Sequence, residues 1–469
     1  MKLYNTLTKQ VDDFKPLEDQ QVRMYTCGPT VYDHIHVGNL SSFIYADTLR
    51  RVLAAEGYQI KHVMNYTDVD DKTIRRSREE FPDEEPDVAL CNLTQKYEDL
   101  FVRDMQTIGN DTENVDFIKA TQQIDDMKFL ISKLYRDGFA YVTDDGIYFS
   151  IAKYRESGKN YGQLLEITDS NTSEARISND EYDKDYVHDF ALWKKRKADE
   201  PAWPFEIEGH DLLGRPGWHI ECSAMSRKEL GQPFDIHTGG VDLIFPHHEN
   251  EIAQSTAGEE NPVFATTFFH NEHLLIDGKK MSKSLNNFYT LEDIKEKGFN
   301  LTSFRLMVLQ SHYRNQSNFT WDNLSAAQNR LNTYKAMAAH KWQPNEAGKV
   351  TEEDFTKARD EILAAMATDI NTAEALAVLS RIAKLVDDGG VKPEIQNALD
   401  EFITFVNELF SLNLSDQLDI SDDQKAIVAE RTRLRDEQKW DEADALRKQL
   451  EEQKIGLNDT PNGPIWYRL

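Results

Sequence analysis

Residues 22–66 read VRMYTCGPTVYDHIHVGNLSSFIYADTLRRVLAAEGYQIKHVMNY. Apolar and polar side chains alternate at the start of this stretch, which predicts a strand over residues 22–27. A helical pattern follows and stops at Gly57; its apolar face holds Phe43, Ala46, Leu49 and Leu53. A second strand is predicted over residues 59–66. Strand, helix and strand in this order form a βαβ unit, so we predict an α/β fold with a Rossmann-type parallel sheet.

The rest of the chain divides by pattern into further regions. Residues 115–200 mix helical and hydrophilic stretches, which indicates an insertion within the sheet domain. The α/β character resumes around residues 218–254, and from about residue 322 the pattern is nearly all helical until Gly389-Gly390 interrupts it. A length of 469 residues is also too great for one ordinary core, so we expect several domains.

Composition sets broad limits on the function. No run of about 18 apolar residues predicts a membrane span, and the three scattered cysteines favour a reducing cytoplasm over a disulfide framework. The net charge of −28 argues against a polyanionic partner, but nine basic and nine acidic residues balance within residues 425–469. This neutral tail permits contact with nucleic acid. Acidity that only keeps the protein in solution explains the net charge equally well.

The first candidate motif is His34-Ile35-His36-Val37-Gly38-Asn39, between the first strand and its helix. At this place backbone N–H groups and the positive end of the helix dipole face a bound anion. Gly38 permits the close approach of a phosphate, and an imidazole can donate a hydrogen bond to it. A loop with two incidental histidines explains these residues equally well.

The second candidate motif is Lys279-Lys280-Met281-Ser282-Lys283-Ser284, which follows Asp277-Gly278. Lysines and serines in a glycine-initiated loop suit a mobile clamp over a developing pyrophosphate. The alternative is an exposed basic turn. The two motifs together match the HIGH and KMSKS signatures of class I aminoacyl-tRNA synthetases, with a complete match from Lys280 to Ser284 and a looser one over residues 36–39.

The third constellation joins distant parts of the chain. Cys27 ends the first predicted strand, Cys222 follows Gly217-Trp218-His219-Ile220-Glu221, and His247 and Glu251 are spaced i, i+4 on one predicted helical face. Two thiolates, one imidazole and one carboxylate are an acceptable zinc set. Buried structural thiols and a solvated helix face are the alternative, because no short CxxC spacing identifies a metal site.

These segments resemble the cysteinyl-tRNA synthetase family over essentially the whole chain. The matching stretches are Tyr25 to Tyr32, Asn65 to Lys72, Asp189 to Lys194, Arg215 to Met225, Asp235 to His237, Phe245 to Gln254, Lys280 to Ser284, Asp459 to Pro461, and Trp466. One departure is Leu40-Ser41-Ser42, because the family often continues with Ala-Arg after Gly-Asn. A phosphate or tRNA contact made by that arginine is therefore in question.

The resemblance implies roles for individual residues. It assigns one zinc ion to Cys27, Cys222, His247 and Glu251, and it implies Mg²⁺ with ATP, although no local motif identifies the Mg²⁺ ligands. It places ATP around His36, Gly38, Asn39, Lys280 and Lys283, with catalytic roles for Lys283, Lys280 and His36. The residues that match the family's cysteine pocket are Thr67, Trp218 and His237. In the tail, an aromatic residue stands among bases, as in anticodon readers: Trp440 with Arg431, Arg433, Arg435 and Lys439. The alternative is that Trp440 packs into a small core while the arginines face water.

The resemblance also implies an architecture. We expect a Rossmann-type catalytic domain, an insertion, a helical bundle and a small C-terminal anticodon-binding domain. The implied regions are a first catalytic half at 1–118, an inserted connective domain at 119–204, a second catalytic half with the zinc ligands at 205–262, a KMSKS-bearing stem-contact region at 263–320, the bundle at 321–420 and the anticodon-binding domain at 421–469. The expected partners are ATP, L-cysteine and tRNA(Cys), and we expect a cytoplasmic monomer that does not contact a membrane.

Two other functions stay open at this point. A ligase that joins cysteine to an amino sugar uses a similar activating core, but it has no need of the long region after residue 320. A catalytically inactive paralogue that binds tRNA or an amino acid is the other, and the altered residues 40–42 leave room for it. Pyrophosphate exchange with cysteine and charging of tRNA separate the three functions.

Overall fold

The predicted strand–helix–strand unit is present in the computed structural model, which describes residues 1–165, 189–260, 262–281 and 287–469. Five parallel strands form the central sheet in the order β5-β4-β1-β2-β3. In chain order they are β1 (Gln21–Thr26), β2 (Gln59–Tyr66), β3 (Asp116–Lys119), β4 (Phe234–Gly240) and β5 (Ala265–Asn271). The α/β prediction is thus confirmed, and β1 lies at the centre of the sheet.

Helix α1 (Val37–Ala55) connects β1 to β2 and packs its apolar side chains against the sheet. It begins earlier than the sequence pattern indicated, because the His36 side chain accepts a hydrogen bond from the Asn39 backbone N–H at 3.1 Å and caps the first turn. Gly38 therefore lies within the helix rather than in the preceding loop. Gly57 has a φ of 92° just beyond the helix end, as its role as a stop requires.

A second sheet lies within and just after the predicted insertion. Its four antiparallel strands run in the order Gly214–Pro216, Phe190–Lys195, Gly146–Phe149 and Ala140–Val142. The expected insertion at 119–204 includes residues 166–188, which lie outside the described part of the chain. The strand Gly214–Pro216 leads directly into helix α2 (Trp218–Leu230), which returns the chain to the central sheet.

The remaining elements surround these two sheets. Further helices in the first two-thirds of the chain are Asp71–Glu80, Pro86–Thr107, Ile124–Arg136, Ile151–Glu156, Glu249–Thr256, Leu291–Glu296 and Leu301–Leu309. Small two-stranded sheets pair Lys2–Asn5 with Gln10–Asp13, Glu206–Ile207 with His210–Asp211, and Leu274–Ile276 with Ser317–Phe319. Within the described ranges, no helix has both the length and the apolar run needed to cross a membrane.

The last third of the chain is helical up to a terminal hairpin. The long helices are Trp321–Ala339, Glu352–Met366, Thr372–Gly389 and Gln396–Phe410, and Asp422–Asp436 and Trp440–Glu452 follow them. The third of these ends where the glycine pair was expected to interrupt it, and Gly390 has a φ of 72°. The tail contains turn-forming residues at Gly456 and at Pro461-Asn462-Gly463-Pro464, and the sequence pattern predicts no strand there. It nevertheless forms an antiparallel hairpin of Ile455–Thr460 and Gly463–Arg468.

A buried ion pair joins the helical region to the central sheet. Arg305 is fully buried and donates to Asp47 Oδ2, Asn110 Oδ1 and the Phe410 carbonyl, each at 2.6 Å. Although burial alone would raise the pKa of Asp47, the charge of Arg305, followed by those of Arg51 and Arg50, lowers this pKa to about 2. Asp47 is therefore a carboxylate at neutral pH, and it holds helix α1 against the start of the bundle.

Asp47→Asn should lower the free energy of unfolding by about 3–5 kcal/mol, because it leaves the Arg305 charge buried without its carboxylate. Arg381→Ala is the matched control, since its ion pair with Glu361 is largely exposed and should be worth about 0–1 kcal/mol. Urea unfolding followed by circular dichroism measures both changes. Equal midpoints for the two variants would contradict a structural role for the buried pair.

Candidate active site

The four residues expected to bind metal come together at the carboxyl-terminal edge of the central sheet. Cys27 follows the last residue of β1, Cys222 lies on α2, and His247 lies in the turn Ile244–His248. Glu251 lies in the first turn of helix α3 (Glu249–Thr256). One ligand atom from each of the four lies within 4.8 Å of the others, and all four residues are buried. This group could hold a metal ion.

Short distances between electron-rich atoms define this cluster. Cys27 Sγ lies 3.7 Å from Cys222 Sγ and 3.8 Å from Glu251 Oε1, and His247 Nε2 lies 3.1 Å from the same carboxylate oxygen. Thiolates and a carboxylate cannot all be ionised at this spacing in a buried site without a cation between them. A divalent cation meets that requirement, and sulfur, imidazole and carboxylate are the ligand types that zinc prefers.

Burial also adjusts the protonation of the cluster. It lowers the pKa of His247 well below its usual range, so this ring is neutral, as a metal ligand must be. It raises the pKa of Cys27, Cys222 and Glu251, and so keeps their protons in place when no positive charge is near. A bound cation would displace these protons, because coordination requires the ionised forms. The residues therefore fit a metal ion.

His248 is a candidate that the sequence analysis missed. Its Nε2 lies 3.3 Å from Cys27 Sγ, and Cys27, His237, His248 and Glu251 form a second group whose ligand atoms also lie within 4.8 Å of one another. His237, expected in the cysteine pocket, lies 2.8 Å from Glu251 Oε2 through its Nε2. The adjacent pair His247-His248 was the available signal: these residues lie at i, i+4 and i, i+3 from Glu251, so helical spacing alone does not separate them.

A shell of hydrogen bonds orients these imidazoles. His247 Nδ1 lies 2.9 Å from His219 Nδ1, and His248 Nδ1 lies 2.8 Å from His270 Nε2. Thr6 Oγ1 in turn lies 2.8 Å from His270 Nδ1. Partners of this kind fix the ring orientation and the tautomer of a metal-binding histidine.

A cavity of about 320 Å³ connects the cluster to the first motif. Cys27 and Trp218 line one part of it, and His36, Asn39 and Phe288 line another. The Trp218 ring stacks on His247 with centroids 4.1 Å apart, so the wall of the cavity and the metal cluster support each other. The amino-terminal end of α1 opens on this cavity, which gives it an anion-binding character.

Gly38 is closely surrounded by side chains at this end of the cavity. A Cβ atom at this position would lie 3.0 Å from the His36 ring and 3.4 Å from Met281 Cε. The imidazole that caps the helix would have to shift by a few tenths of an ångström, which would strain its hydrogen bond with the Asn39 backbone N–H. The glycine thus keeps the first turn narrow enough for His36 to cap it.

The remaining expected site residues are Thr67, Lys280 and Lys283. Thr67 is buried and donates a hydrogen bond to Glu221 Oε2 at 2.8 Å. Lys280 is exposed, and its carbonyl accepts a hydrogen bond from Asn287 Nδ2 at 3.1 Å. Lys283 lies outside the described residues.

In the tail, Trp440 is 55% exposed at the start of its helix. Arg431, one of the bases expected near it, is instead buried and bidentate on Asp459 at 2.8 and 2.9 Å. The aromatic ring is therefore available to a partner, whereas this arginine serves the packing of the hairpin.

Comparison with known proteins agrees with the motifs. The family described as the catalytic domain of class I (C) tRNA synthetases matches residues 13–329. A cysteine–tRNA ligase of Brachyspira hyodysenteriae is 38% identical over 99% of this chain and 98% of its own length. A cysteine–tRNA ligase of Thermococcus onnurineus is 39% identical over 100% of this chain and 99% of its own length.

Solved structures support the same fold at much lower identity. Mycobacterium tuberculosis methionyl-tRNA synthetase in complex with methionyl-adenylate is 11% identical, with a TM-score of 0.57 over 84% of this chain and 92% of that one. The agnB2 LeuRS–tRNA–LeuAMS ternary complex of Agrobacterium radiobacter K84 is also 11% identical, with a TM-score of 0.61 over 86% of this chain and 85% of that one. These likenesses show the fold alone.

Cys222→Ser should reduce the metal content of the purified protein from about one ion per chain to a small fraction, because serine supplies no thiolate. Cys91→Ser is the matched control, since Cys91 is exposed and outside the cluster. Plasma mass spectrometry of the dialysed proteins measures the ion. Full occupancy in Cys222→Ser would remove this residue from the ligand set.

Proposed function

The chain belongs to the cysteinyl-tRNA synthetase family of class I, and we propose on this basis that it activates L-cysteine with ATP and transfers it to tRNA(Cys). The observation that carries the proposal is the placement of a thiol-rich metal cluster and a capped helix amino terminus on one cavity. The first suits recognition of a thiol, and the second suits binding of a phosphate. A ligase that makes cysteinyl-adenylate needs both at once.

In the first reaction, a carboxylate oxygen of cysteine attacks the α-phosphorus of ATP, and the bond to pyrophosphate breaks. In the second, a ribose hydroxyl at the 3′ end of tRNA attacks the carbonyl carbon, and AMP leaves. Neither step needs a covalent bond to the protein, so positioning and charge stabilisation supply the catalysis. We assign phosphate binding to His36, Gly38 and Asn39, with Lys280 and Lys283 closing on the leaving pyrophosphate.

We propose that Cys27, Cys222, His247 and Glu251 hold zinc, and that Mg²⁺ accompanies ATP. When bound, zinc supplies a soft Lewis acid that favours a thiolate over an alkoxide. The chain's own contribution is to bury the cluster, to orient His247 through His219, and to cover it with the Trp218 ring. Thr67, Trp218 and His237 are the residues that we assign to the cysteine pocket.

Two other functions were open at the start. The amino-sugar ligase has no use for the helical region and terminal hairpin, whereas the cysteine–tRNA ligases above match nearly the full chain. The inactive paralogue is less well supported, because the cluster and the helix cap are intact despite Leu40-Ser41-Ser42.

Cysteine-dependent pyrophosphate exchange, followed by charging of tRNA(Cys), tests the proposed function. Absence of both activities in the metal-loaded protein would reject it.

The domain assignment and cellular context belong to the same proposal. We assign the catalytic halves, the insertion, the stem-contact region, the bundle and the anticodon-binding domain to the ranges given from the sequence. A monomer in the cytoplasm is the state that we propose. Trp440 is assigned to the anticodon because its ring is exposed in the last of these regions.

Lys283→Ala should slow cysteine-dependent pyrophosphate exchange by about 10²-fold or more, because its charge acts on the transition state. Metal content and the unfolding midpoint should not change. Lys295→Ala is the control. Lys295 is exposed and pairs with Glu292 on the same helix, Leu291–Glu296. An unchanged exchange rate in Lys283→Ala would transfer this role to another group, with Lys280 as the first candidate.

The metal-loaded protein should activate cysteine over serine by a factor of about 10⁴, equivalent to about 5.5 kcal/mol. An apolar pocket cannot discriminate between cysteine and serine by this factor, because the two differ by one atom. A pocket that contains a metal ion can do so. Exchange rates at matched concentrations of the two amino acids, before any transfer step, give the ratio. Similar rates would show that the thiol is not read at the cluster.

Trp440→Ala should raise the KM for tRNA(Cys) by about tenfold, since stacking of one base is worth about 1–3 kcal/mol. The kcat for charging and the rate of cysteine-dependent exchange should stay unchanged, because the cavity lies in another part of the chain. An unchanged KM for tRNA would remove Trp440 from the anticodon contact.

A further inference from the structure

Three buried side chains, Thr6, His270 and His248, connect the N-terminal hairpin (Lys2–Asn5 and Gln10–Asp13) to the metal cluster. Thr6 Oγ1 lies 2.8 Å from His270 Nδ1, and His270 Nε2 lies 2.8 Å from His248 Nδ1. The other ring nitrogen of His248, Nε2, lies 3.3 Å from Cys27 Sγ. The reaction proposed above assigns no chemical role to any of these three side chains.

The edge of the central sheet places Thr6 at the outer end of this series. Thr6 directly follows the strand Lys2–Asn5, and β5, which carries His270, is an edge strand. The Thr6 backbone N–H donates to the Phe268 carbonyl at 3.0 Å, and Asn5 Oδ1 accepts from the Phe268 N–H at 3.0 Å. These two bonds to the backbone of β5 hold the Thr6 hydroxyl beside His270.

The Thr6 hydroxyl sets the direction of the hydrogen bonds from its end. Thr6 is 8% exposed, and His270 is the one partner that the described part of the chain offers to its hydroxyl. A buried O–H without an acceptor is unfavourable, so the proton is directed to His270 Nδ1. Burial lowers the pKa of His270 to about 3, so its neutral ring carries its one proton on Nε2 and donates it to His248 Nδ1. His248 then carries its own proton on Nε2, which faces Cys27.

The sulfur at the other end requires the same direction. As a metal ligand Cys27 is a thiolate, and it has only lone pairs to offer to His248. In the opposite direction, a lone pair of His248 Nε2 would lie 3.3 Å from the lone pairs of that sulfur. Glu251 does not compete for the N–H, because its Oε1 lies 3.9 Å from His248 Nε2, beyond hydrogen-bond distance.

We propose that His248 donates a hydrogen bond to the Cys27 thiolate instead of binding the metal, and that Thr6 fixes the tautomer of His248 through His270. This assignment rests on the proposed function and deepens it, because it takes Cys27 as a zinc ligand. It also separates the two groups of potential ligands. An imidazole nitrogen that carries a proton has no lone pair for an ion, so His247 is the imidazole ligand.

The hydrogen bond has a consequence for the thiolate. An N–H directed at a metal-bound sulfur withdraws charge from it, and such outer partners adjust both the affinity and the electronic properties of a metal site. A sulfur with less charge is also a weaker nucleophile. His248 therefore keeps Cys27 on the ion while the thiol of the substrate approaches. Thr6 and His270 act through His248 and are positioning residues.

Cobalt(II) bound in place of zinc tests the assignment, because its sulfur-to-metal charge-transfer band reports on the thiolates. Thr6→Val keeps the shape of the side chain but has no hydroxyl proton, so this band should move to longer wavelength. The visible d–d bands, which report the coordination number, should stay unchanged. The Kd for zinc, from competition with a chelator, should rise about tenfold, as is typical when an outer hydrogen-bond partner is lost. Thr6→Ser retains the hydroxyl and should behave as the wild type.

Thr8→Val is the matched control, an exposed threonine of the same hairpin whose hydroxyl donates to Asp12. It should change neither the charge-transfer band nor the Kd for zinc. His248→Phe separates a donor from a ligand. The charge-transfer band should move as in Thr6→Val with the d–d bands unchanged, whereas altered d–d bands would show that His248 binds the metal and would overturn the assignment.

Proton–nitrogen correlation spectra of the zinc-loaded protein with isotope-labelled histidine give the tautomers without any variant. His248 and His270 should both carry their proton on Nε2. A proton on Nδ1 of either ring, or an unmoved charge-transfer band in a folded Thr6→Val, would overturn the assignment. Absence of bound metal or of the charge-transfer band in the wild-type protein would overturn the proposed zinc site instead, so the two failures are distinguishable.

Discussion

The site depends on the burial of two sulfur atoms and a carboxylate close together: Cys222 Sγ and Glu251 Oε1 both lie within 4 Å of Cys27 Sγ. Lone pairs crowded together away from water are unstable unless a cation or protons lie between them. Burial raises the pKa of each of these groups, so the cation-free cluster keeps its protons. A cation that replaces them stabilises the contact of the strand end with helices α2 and α3 and with the turn that carries His247.

The parallel sheet explains why these groups meet. Its central strand, β1, ends just before Cys27, and its neighbour β4 contributes His237 beside that end. Helix α2 supplies Trp218 and Cys222 from one face, and α1 presents its amino terminus to the same cavity. Phosphate chemistry and thiol recognition thus share the carboxyl edge of one sheet, where α/β proteins bind their ligands. The buried pair of Asp47 and Arg305 then holds the helical region against the reverse face of α1.

The local sequence pattern was enough to predict the first βαβ unit, because the apolar residues of each element recur with a clear period and Gly57 marks the end of the helix. The grouping of Cys27 with Cys222 was not available from spacing, since 195 residues separate them, and only the family resemblance supplied it. His248 was missed because its contact with Cys27 depends on side-chain direction, which a sequence does not give. The terminal hairpin was also missed, because Gly456 and the turn residues around 461–464 outweighed its short apolar stretches.

X-ray absorption at the zinc edge, with and without cysteine, tests the central claim most directly, because it counts the sulfur atoms bound to the metal. The account predicts two sulfur ligands in the free protein, from Cys27 and Cys222, and three when cysteine is present. Serine should leave the count at two. A sulfur count that does not change when cysteine binds would contradict the claim that the buried cluster reads the thiol of the substrate.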